Sequence, residues 1–448
     1  MTAAVDSRLA MLGGPRSVPR GRRIPAWPRV TPDDEAAVLR SLRSGAFTAA
    51  AAGEEEIPAL EREWARYVGT GHALAVSNGT AALSLALAAA GVRPGDEVVV
   101  PALSFVASGI APLHIGAIPV FADIDPETFN TDAACVAAAL TPRTRAVVVV
   151  HLHGLPADMD EILALTRPLG IPVVEDAAQA HGATYRGARV GSLGLVNSFS
   201  LNVSKNLATC GEGGLVNTDD PDVHRRALAL RQFGEVIESG TPRQYVSHAM
   251  GWNHKPSAPQ CAFTRSQLSR FPDEAAARDA NVRTFLARLR DLPGLLVPST
   301  PDDRTHAWHI LRFRLDPEAF GLPAGMAGPL RAAVIRALRA EGVPASTYQH
   351  LPLPAQPVFR RPPTTVGYPP DALRAIQGWS PDDTPATCRV IESSFVIQKA
   401  HLHPDAEPLL DLYAQAVRKV WEEPDVLVRY ARDLPYQAPW EQTDEAPW

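Results

Sequence analysis

From Ala73 to about residue 275 the chain alternates short β-rich runs with helical stretches, and this alternation narrows the fold more than any other feature. HALAV, GDEVVVP, IPVFADID, RAVVVVH, PVVED, SFSL and GGLVNT read as strands; GTAALSLALAAAGV and DMDEILALTRPLG are among the helical stretches between them. Repeated strand–helix units predict an α/β fold, a three-layer αβα domain with a mostly parallel sheet. Ligands in such a fold sit outside the carboxyl ends of the strands.

On either side of this region the pattern changes. Residues 1–28 carry Gly13-Gly14-Pro15 and several arginines with little apolar periodicity, which predicts an extended arm. Thr31 is placed to cap a short helix ending at Gly45, and Ile57, Leu60, Trp64 and Tyr67 share one face of the next. After the large region, PDEAAARDANVRTFLARLRDL reads as a long connecting helix, HAWHILRFRL as a strand and GPLRAAVIRALRAEGV as an amphipathic helix. The Pro-rich stretch from Leu351 to Pro385 reads as irregular chain. The expected division is an arm (1–28), a large domain (29–275) and a smaller α+β domain (276–448). The last ends in an extension rich in Trp, Pro and acids whose sequence assigns it no role.

Charge and cysteine content exclude several classes. With 43 basic and 49 acidic residues, a net charge of −6 and no long run of either sign, nothing favours nucleic acid or an anionic membrane surface. The four cysteines, Cys135, Cys210, Cys261 and Cys388, form no C-x-x-C pair, which fits a reducing, cytoplasmic setting. No stretch approaches the roughly 20 apolar residues of a membrane span, and the first residues lack the apolar core of a signal peptide. A small-molecule ligand is the expectation.

The segment Pro172–Val216 concentrates the candidate chemistry. The run PVV ends in Glu175 and Asp176, and SFSL leads to Lys205 and the glycines of Gly211-Glu212-Gly213-Gly214. A lysine can form a Schiff base with the aldehyde of pyridoxal phosphate, and a carboxylate at a strand end can keep the pyridine nitrogen protonated. Alternation along the strand turns Glu175 to the opposite face from Asp176. Asn78-Gly79-Thr80 offers backbone N–H groups at a helix start for a phosphate, and the Ser200 hydroxyl is a second donor. Phe105 follows a strand end, where its ring can stack on a pyridine. Gln179 lies three residues after Asp176, within reach of the cofactor's phenolic oxygen if the chain turns helical there. Each residue also suits an ordinary role: a solvated lysine, a capping Asp, a plain turn, a core Phe. Their joint fit to one cofactor site distinguishes the set. The glycines do not form G-x-G-x-x-G, so a nicotinamide enzyme gains no support.

The stretches SNGTAALSLAL, GVRPGDEVVVPALSFVAS, GAIPVFADIDPETFN, EDAAQAHGATYRGARVG and SFSLNVSKNLATCGEGGLV resemble, in order and spacing, the DegT/DnrJ/StrS-type sugar and cyclitol aminotransferases of PLP fold-type I. The likeness runs from about Leu9 to Val420. It implies Lys205 as the cofactor lysine, Asp176 as partner of the pyridine nitrogen and Gln179 as neighbour of the phenolic oxygen. Gly79, Thr80 and Ser200 fall at phosphate-binding positions and Phe105 at that of the stacking aromatic. Asn253, in GWNHK, matches an asparagine that reaches the cofactor of a neighbouring subunit, implying a homodimer with shared sites. The implied reaction moves an amino group from glutamine or glutamate to a keto sugar or keto cyclitol, in antibiotic or secondary-metabolite biosynthesis. Three departures stand out. Lys255 replaces an arginine usual in the family, Ala46–Gly53 lacks a frequent tryptophan, and a histidine pair is replaced around Gln398-Lys399. Alternatives are another PLP reaction on the same fold or a non-catalytic PLP-binding regulator; retention of Lys205 counts against the sugar dehydratases, in which histidine stands there.

Overall fold

The computed structural model describes residues 8–441 apart from 50, 52, 237–242, 361–379 and 399. Its larger sheet is built from β1 (His72–Val76), β2 (Glu97–Pro101), β3 (Ile118–Ala122), β4 (Thr144–Val150) and β5 (Val173–Asp176). After a two-residue hairpin of β6 (Thr184–Tyr185) and β7 (Ala188–Arg189), β8 (Val196–Ser200) and β9 (Gly214–Thr218) complete it. The strand order is β1-β9-β8-β5-β4-β2-β3, parallel throughout except for β9, which runs against both neighbours. The strands are apolar on both faces because helices cover both faces. The α/β expectation therefore holds, with a mostly parallel sheet.

Helices α1 (Pro32–Ser44), α2 (Glu56–Val68), α3 (Gly79–Ala89), α4 (Ala107–His114), α5 (Ala133–Ala139), α6 (Met159–Thr166) and α7 (Pro221–Arg231) surround the sheet. Thr31 and Asp34 close a capping box at the start of α1, as the sequence predicts. Ile57, Leu60 and Trp64 are buried under α2. The segment after β5 does not turn helical at Gln179; it forms tight turns, with Ala180 N–H donating to Ala177 O at 2.9 Å.

The connecting helix also differs. The sequence places its start at Pro272, but α8 runs from Ala258 to Ala287 with Pro272 inside it. A proline there removes one backbone donor, yet Phe263, Leu268 and Phe271 before it and Val282, Phe285 and Leu286 after it are all buried. Packing along both halves keeps the helix continuous. α8 thus carries the chain from the larger sheet to a second, antiparallel sheet of β10 (Leu295–Leu296), β11 (Ile310–Leu315), β12 (Ala345–Ser346) and β13 (Ser394–Gln398), ordered β10-β11-β13-β12. Around it lie α9 (Ala327–Glu341), the short α10 (Pro357–Arg360), α11 (Pro385–Ser393), α12 (Glu407–Trp421) and α13 (Pro424–Asp433). Most of the Pro-rich stretch, and Lys399, fall outside the described residues.

The described residues nearest both ends of the chain pack on this second unit. Leu9 and Val18 are buried in its core. Glu341, fully buried, accepts from Ala10 N–H at 2.8 Å, from Ser17 N–H at 2.9 Å and from the Ser17 hydroxyl at 2.8 Å, and pairs with Lys419 at 2.9 Å. At the other end α13 packs on α9, and the Tyr436 ring lies so close over Gly328 that a Cβ there would meet it at 2.0 Å. We expect Glu341→Ala to lower stability in chemical denaturation by about 3 kcal/mol, because it leaves Lys419 without a carboxylate and the Ala10 and Ser17 donors without their acceptor. The arm should become protease-sensitive in the same variant.

Candidate active site

Loops from the carboxyl ends of β1, β2, β4, β5 and β8 converge on a cavity of about 460 Å³. Asn78, Gly79, Thr80, Phe105, Asp176, Gln179, Ser200 and Lys205 all line it, joined by Ser104, Ser108, Glu212, His309 and Tyr348. A larger groove of about 780 Å³ opens between α1, α2 and α8, but its Arg265 is bound to Glu63 and it holds no lysine or histidine. The smaller cavity is the one with convergent chemistry.

At one end of the cavity, α3 begins. Asn78 caps it by accepting from Ala81 N–H at 2.8 Å, and the first turn of the helix lies against Ser200. A Cβ on Gly79 would lie 2.5 Å from the Ser200 Cβ and 2.9 Å from its Oγ, so only glycine permits this approach. Helix N–H groups and a hydroxyl make a cup for an anion.

Asp176 lines the same cavity. Its Oδ2 accepts from Ser108 Oγ at 2.8 Å, and its Oδ1 accepts from Ala178 N–H at 3.2 Å. Since Ser108 donates to the carboxylate, Ser104, 2.8 Å from Ser108, donates in turn to it. The two serines flank Phe105 in sequence, so one chain of hydrogen bonds ties its loop to Asp176. Phe105 itself is 54% exposed, a large apolar ring open to the cavity.

Glu175 points the other way, as strand alternation requires. Fully buried, it accepts from Gly191, Leu193 and Gly194 N–H groups at 2.7 Å each and from His151 Nε2 at 2.8 Å. The His151 tautomer follows, because its Nδ1 accepts from Ala157 N–H at 3.1 Å. Burial by itself would raise the Glu175 pKa, but the bonds from His151 and the backbone hold it below the ordinary 4.5.

Gln179 accepts at Oε1 from His153 N–H at 2.7 Å, which turns its NH₂ group to the cavity side. Lys205 lies inside the cavity, and burial pulls the pKa of its amine down while Asp176 and Glu212 partly offset this. Asn253 lies elsewhere. It is exposed on the loop after a hairpin-like excursion, with its side chain bonded to Lys255, and it does not line this cavity. Sequence reasoning missed Ser104, Ser108, His309 and Tyr348. The serines sit beside Phe105 and were open to notice, whereas His309 and Tyr348 come from the second sheet, more than a hundred residues away.

Against known proteins, the profile of the DegT/DnrJ/EryC1/StrS aminotransferase family matches residues 28–375. The chain belongs to this family. It is a pyridoxal phosphate-dependent aminotransferase, using an amino donor and a keto acceptor. It is 37% identical over 432 residues to L-glutamine:scyllo-inosose aminotransferase of Streptomyces griseus, covering 93% of this chain and 98% of that one. It is 40% identical over 347 residues to L-glutamine:2-deoxy-scyllo-inosose aminotransferase of Streptomyces lividus, covering 74% and 78%. The crystal structure of 3-amino-5-hydroxybenzoic acid synthase superimposes with a TM-score of 0.77 at 30% identity, over 91% of this chain and 99% of that one. Among the described residues no helix is long and apolar enough to cross a membrane, and no group of side chains forms a metal site.

Two predictions follow from this geometry. Gly79→Ala should weaken cofactor binding at least tenfold, measured by equilibrium dialysis, because the new methyl must displace Ser200. Glu175→Gln should cost about 3 kcal/mol at neutral pH by denaturant titration. Because the folded pKa of Glu175 is depressed, its stabilisation is present above about 4.5, its unfolded value, and is lost as pH falls below that. The variant's stability should therefore fall less steeply on acidification.

Proposed function

We propose that this protein transfers the amino group of glutamine or glutamate to a keto cyclitol or keto sugar in the biosynthesis of a secondary metabolite, with Lys205 as the reacting amine. The observation that carries this reading is the convergence of Lys205, Asp176 and the start of α3 in one cavity. The near full-length likeness to the scyllo-inosose enzyme supports the cyclitol class.

The residues fit pyridoxal phosphate. The cradle that a Cβ on Gly79 would fill, together with Thr80 and Ser200, suits the phosphate. Asp176, held by Ser108, is oriented to bond a protonated pyridine nitrogen, and the NH₂ of Gln179 to donate to the phenolic oxygen. Phe105 would cover the ring face. Bound there, the cofactor supplies an aldehyde that condenses with amines and a ring that withdraws electrons. With the cofactor bound, the free amine of Lys205 would act as the general base that takes the proton from the donor Cα, hold it as the ammonium and give it back to carbon to complete the transfer. Its depressed pKa favours the neutral amine this requires.

A homodimer is part of the same reading. The excursion between α7 and α8, closed by the bridges Gln232 to Asn253 and Glu235 to Ser247, exposes Phe233, Val236, Tyr245, Val246 and Met250. Met250 is 88% and Tyr245 75% exposed, an apolar surface suited to a second copy of this chain. Asn253 at its base would reach the partner's cofactor. Lys255 approaches the Phe233 ring at 4.3 Å and bonds Asn253, so the ammonium holds the asparagine where the family more often has an arginine.

Mixing the purified holoenzyme with glutamine or glutamate should remove its visible absorption band and release an equivalent of keto acid. Lys205→Ala should fold but show neither the band nor the conversion; a surviving band would overturn the lysine assignment. Asn253→Ala should remain dimeric by sedimentation yet retain the cofactor about tenfold less tightly. Unchanged retention in a confirmed dimer would remove that residue from the site.

A further inference from the structure

The segment carrying Lys205 is gripped by parts of the chain outside the larger sheet. Trp27 Nε1 donates to the Lys205 carbonyl at 2.9 Å. The next residue, Asn206, is buried and donates its amide N–H to the Ala307 carbonyl. That bond assigns the amide, so its Oδ1 must accept from His309 Nδ1, 3.0 Å away. Nδ1 of His309 therefore carries the proton, and Nε2 carries a lone pair.

His309 lines the same cavity as Lys205, and with Nδ1 committed to Asn206, Nε2 is the ring's remaining polar atom there. Burial, reinforced by the charge of Lys205 and by His153, His181 and His401, pushes the His309 pKa well below its ordinary value. The ring stays neutral and can only accept at Nε2.

We propose that Asn206 and His309 act as a positioning pair for Lys205, presenting the Nε2 lone pair as hydrogen-bond acceptor to its amine when that amine is free of the cofactor. This rests on Lys205 being the reacting amine. Holding one lysine N–H fixes the direction of the amine's lone pair, so the group that moves the substrate proton meets Cα in one orientation. Neither residue lies in the segment Pro172–Asp176 that carries the carboxylates, and His309 reaches the cavity from the start of β11. The second unit thereby contributes directly to the lysine's setting.

The test uses the full-length chain reconstituted with pyridoxamine phosphate, in which the Lys205 amine is free whether or not glutamine is a donor. Competitive acetylation across a pH series, read at the Lys205 peptide by mass spectrometry, gives the amine's pKa. The other ionisable groups around it, Asp176, Glu212 and His181, are left unchanged. An acceptor favours the ammonium, so His309→Leu should lower the Lys205 pKa by about one unit. His309→Gln, which keeps an acceptor, should restore most of that shift, and Asn206→Ala, which frees the ring to change tautomer, should give an intermediate value. Equal values for the Leu and Gln variants, or no shift in either, would overturn the proposal. If thermal unfolding shows the Leu variant misfolded, Asn206→Ala decides: a wild-type pKa there overturns it. A failure of glutamine conversion with these shifts intact would count against the proposed donor, not against the pair.

Discussion

Two neighbouring carboxylates at the end of β5 set the geometry of everything above the sheet. Glu175 is sealed beneath it by three backbone N–H groups and His151, and Asp176, one residue on, is therefore forced to the cavity face. The loop around Gly191–Gly194 that supplies those donors leads directly into β8, whose end carries Ser200 and then Lys205. One buried acid thus fixes the strand that aims Asp176 and the loop that starts toward the lysine. Its negative charge is tolerated because every bond to it comes from a donor.

The second unit is not an appendage to this arrangement. Arg312 on β11 donates Nε to His153 Nε2 at 2.8 Å and bonds Ser394 and Gln349 with its other nitrogens. His153 in turn gives its backbone N–H to Gln179, and Gln349 follows Tyr348, which lines the cavity. A single guanidinium therefore links the small sheet, a residue with left-handed backbone at φ 59°, and two walls of the site. All three hydrogen-bond partners are neutral, so Arg312 is a buried cation with no carboxylate bound to it; its guanidinium also lies 5.6 Å from the Phe129 ring centroid, and burial pulls its pKa down. Such an arrangement is costly unless satisfied throughout.

The parts legible in sequence were those encoded locally. The strand–helix period, the Thr31 cap and the opposite facing of Glu175 and Asp176 each depend on neighbours a few residues apart, and the cluster from Asn78 to Lys205 was legible because its members sit at strand ends and a helix start that such local patterns mark. The start of α8 was misplaced because proline is a strong local signal, and burial of Phe263, Leu268 and Phe271 before it overrides that signal only in the folded chain. Gln179 reaches the site without the helical turn that the sequence left open, because the His153 N–H fixes its side chain from elsewhere. His309, Tyr348 and Arg312 had no local mark at all. Their place beside or behind the site arises from a chain that leaves the sheet through a 30-residue helix and returns to it.

The electrostatics of the lysine then follow from what the fold allows near it. Three histidines, His153, His181 and His309, lie close to the cavity, and each could in principle add a positive charge. All three are kept neutral by burial; the pKa of His181 is pushed down to about 3, with the charge of Lys205 adding to the effect. The nearby charges that remain opposite in sign to the ammonium are Asp176 and Glu212. Burial outweighs those two, so the amine's pKa is lowered without a competing cation being placed beside it. A neutral imidazole wall has a further consequence: it can orient a lysine N–H without fixing the lysine's charge, leaving that charge free to change as the proton moves.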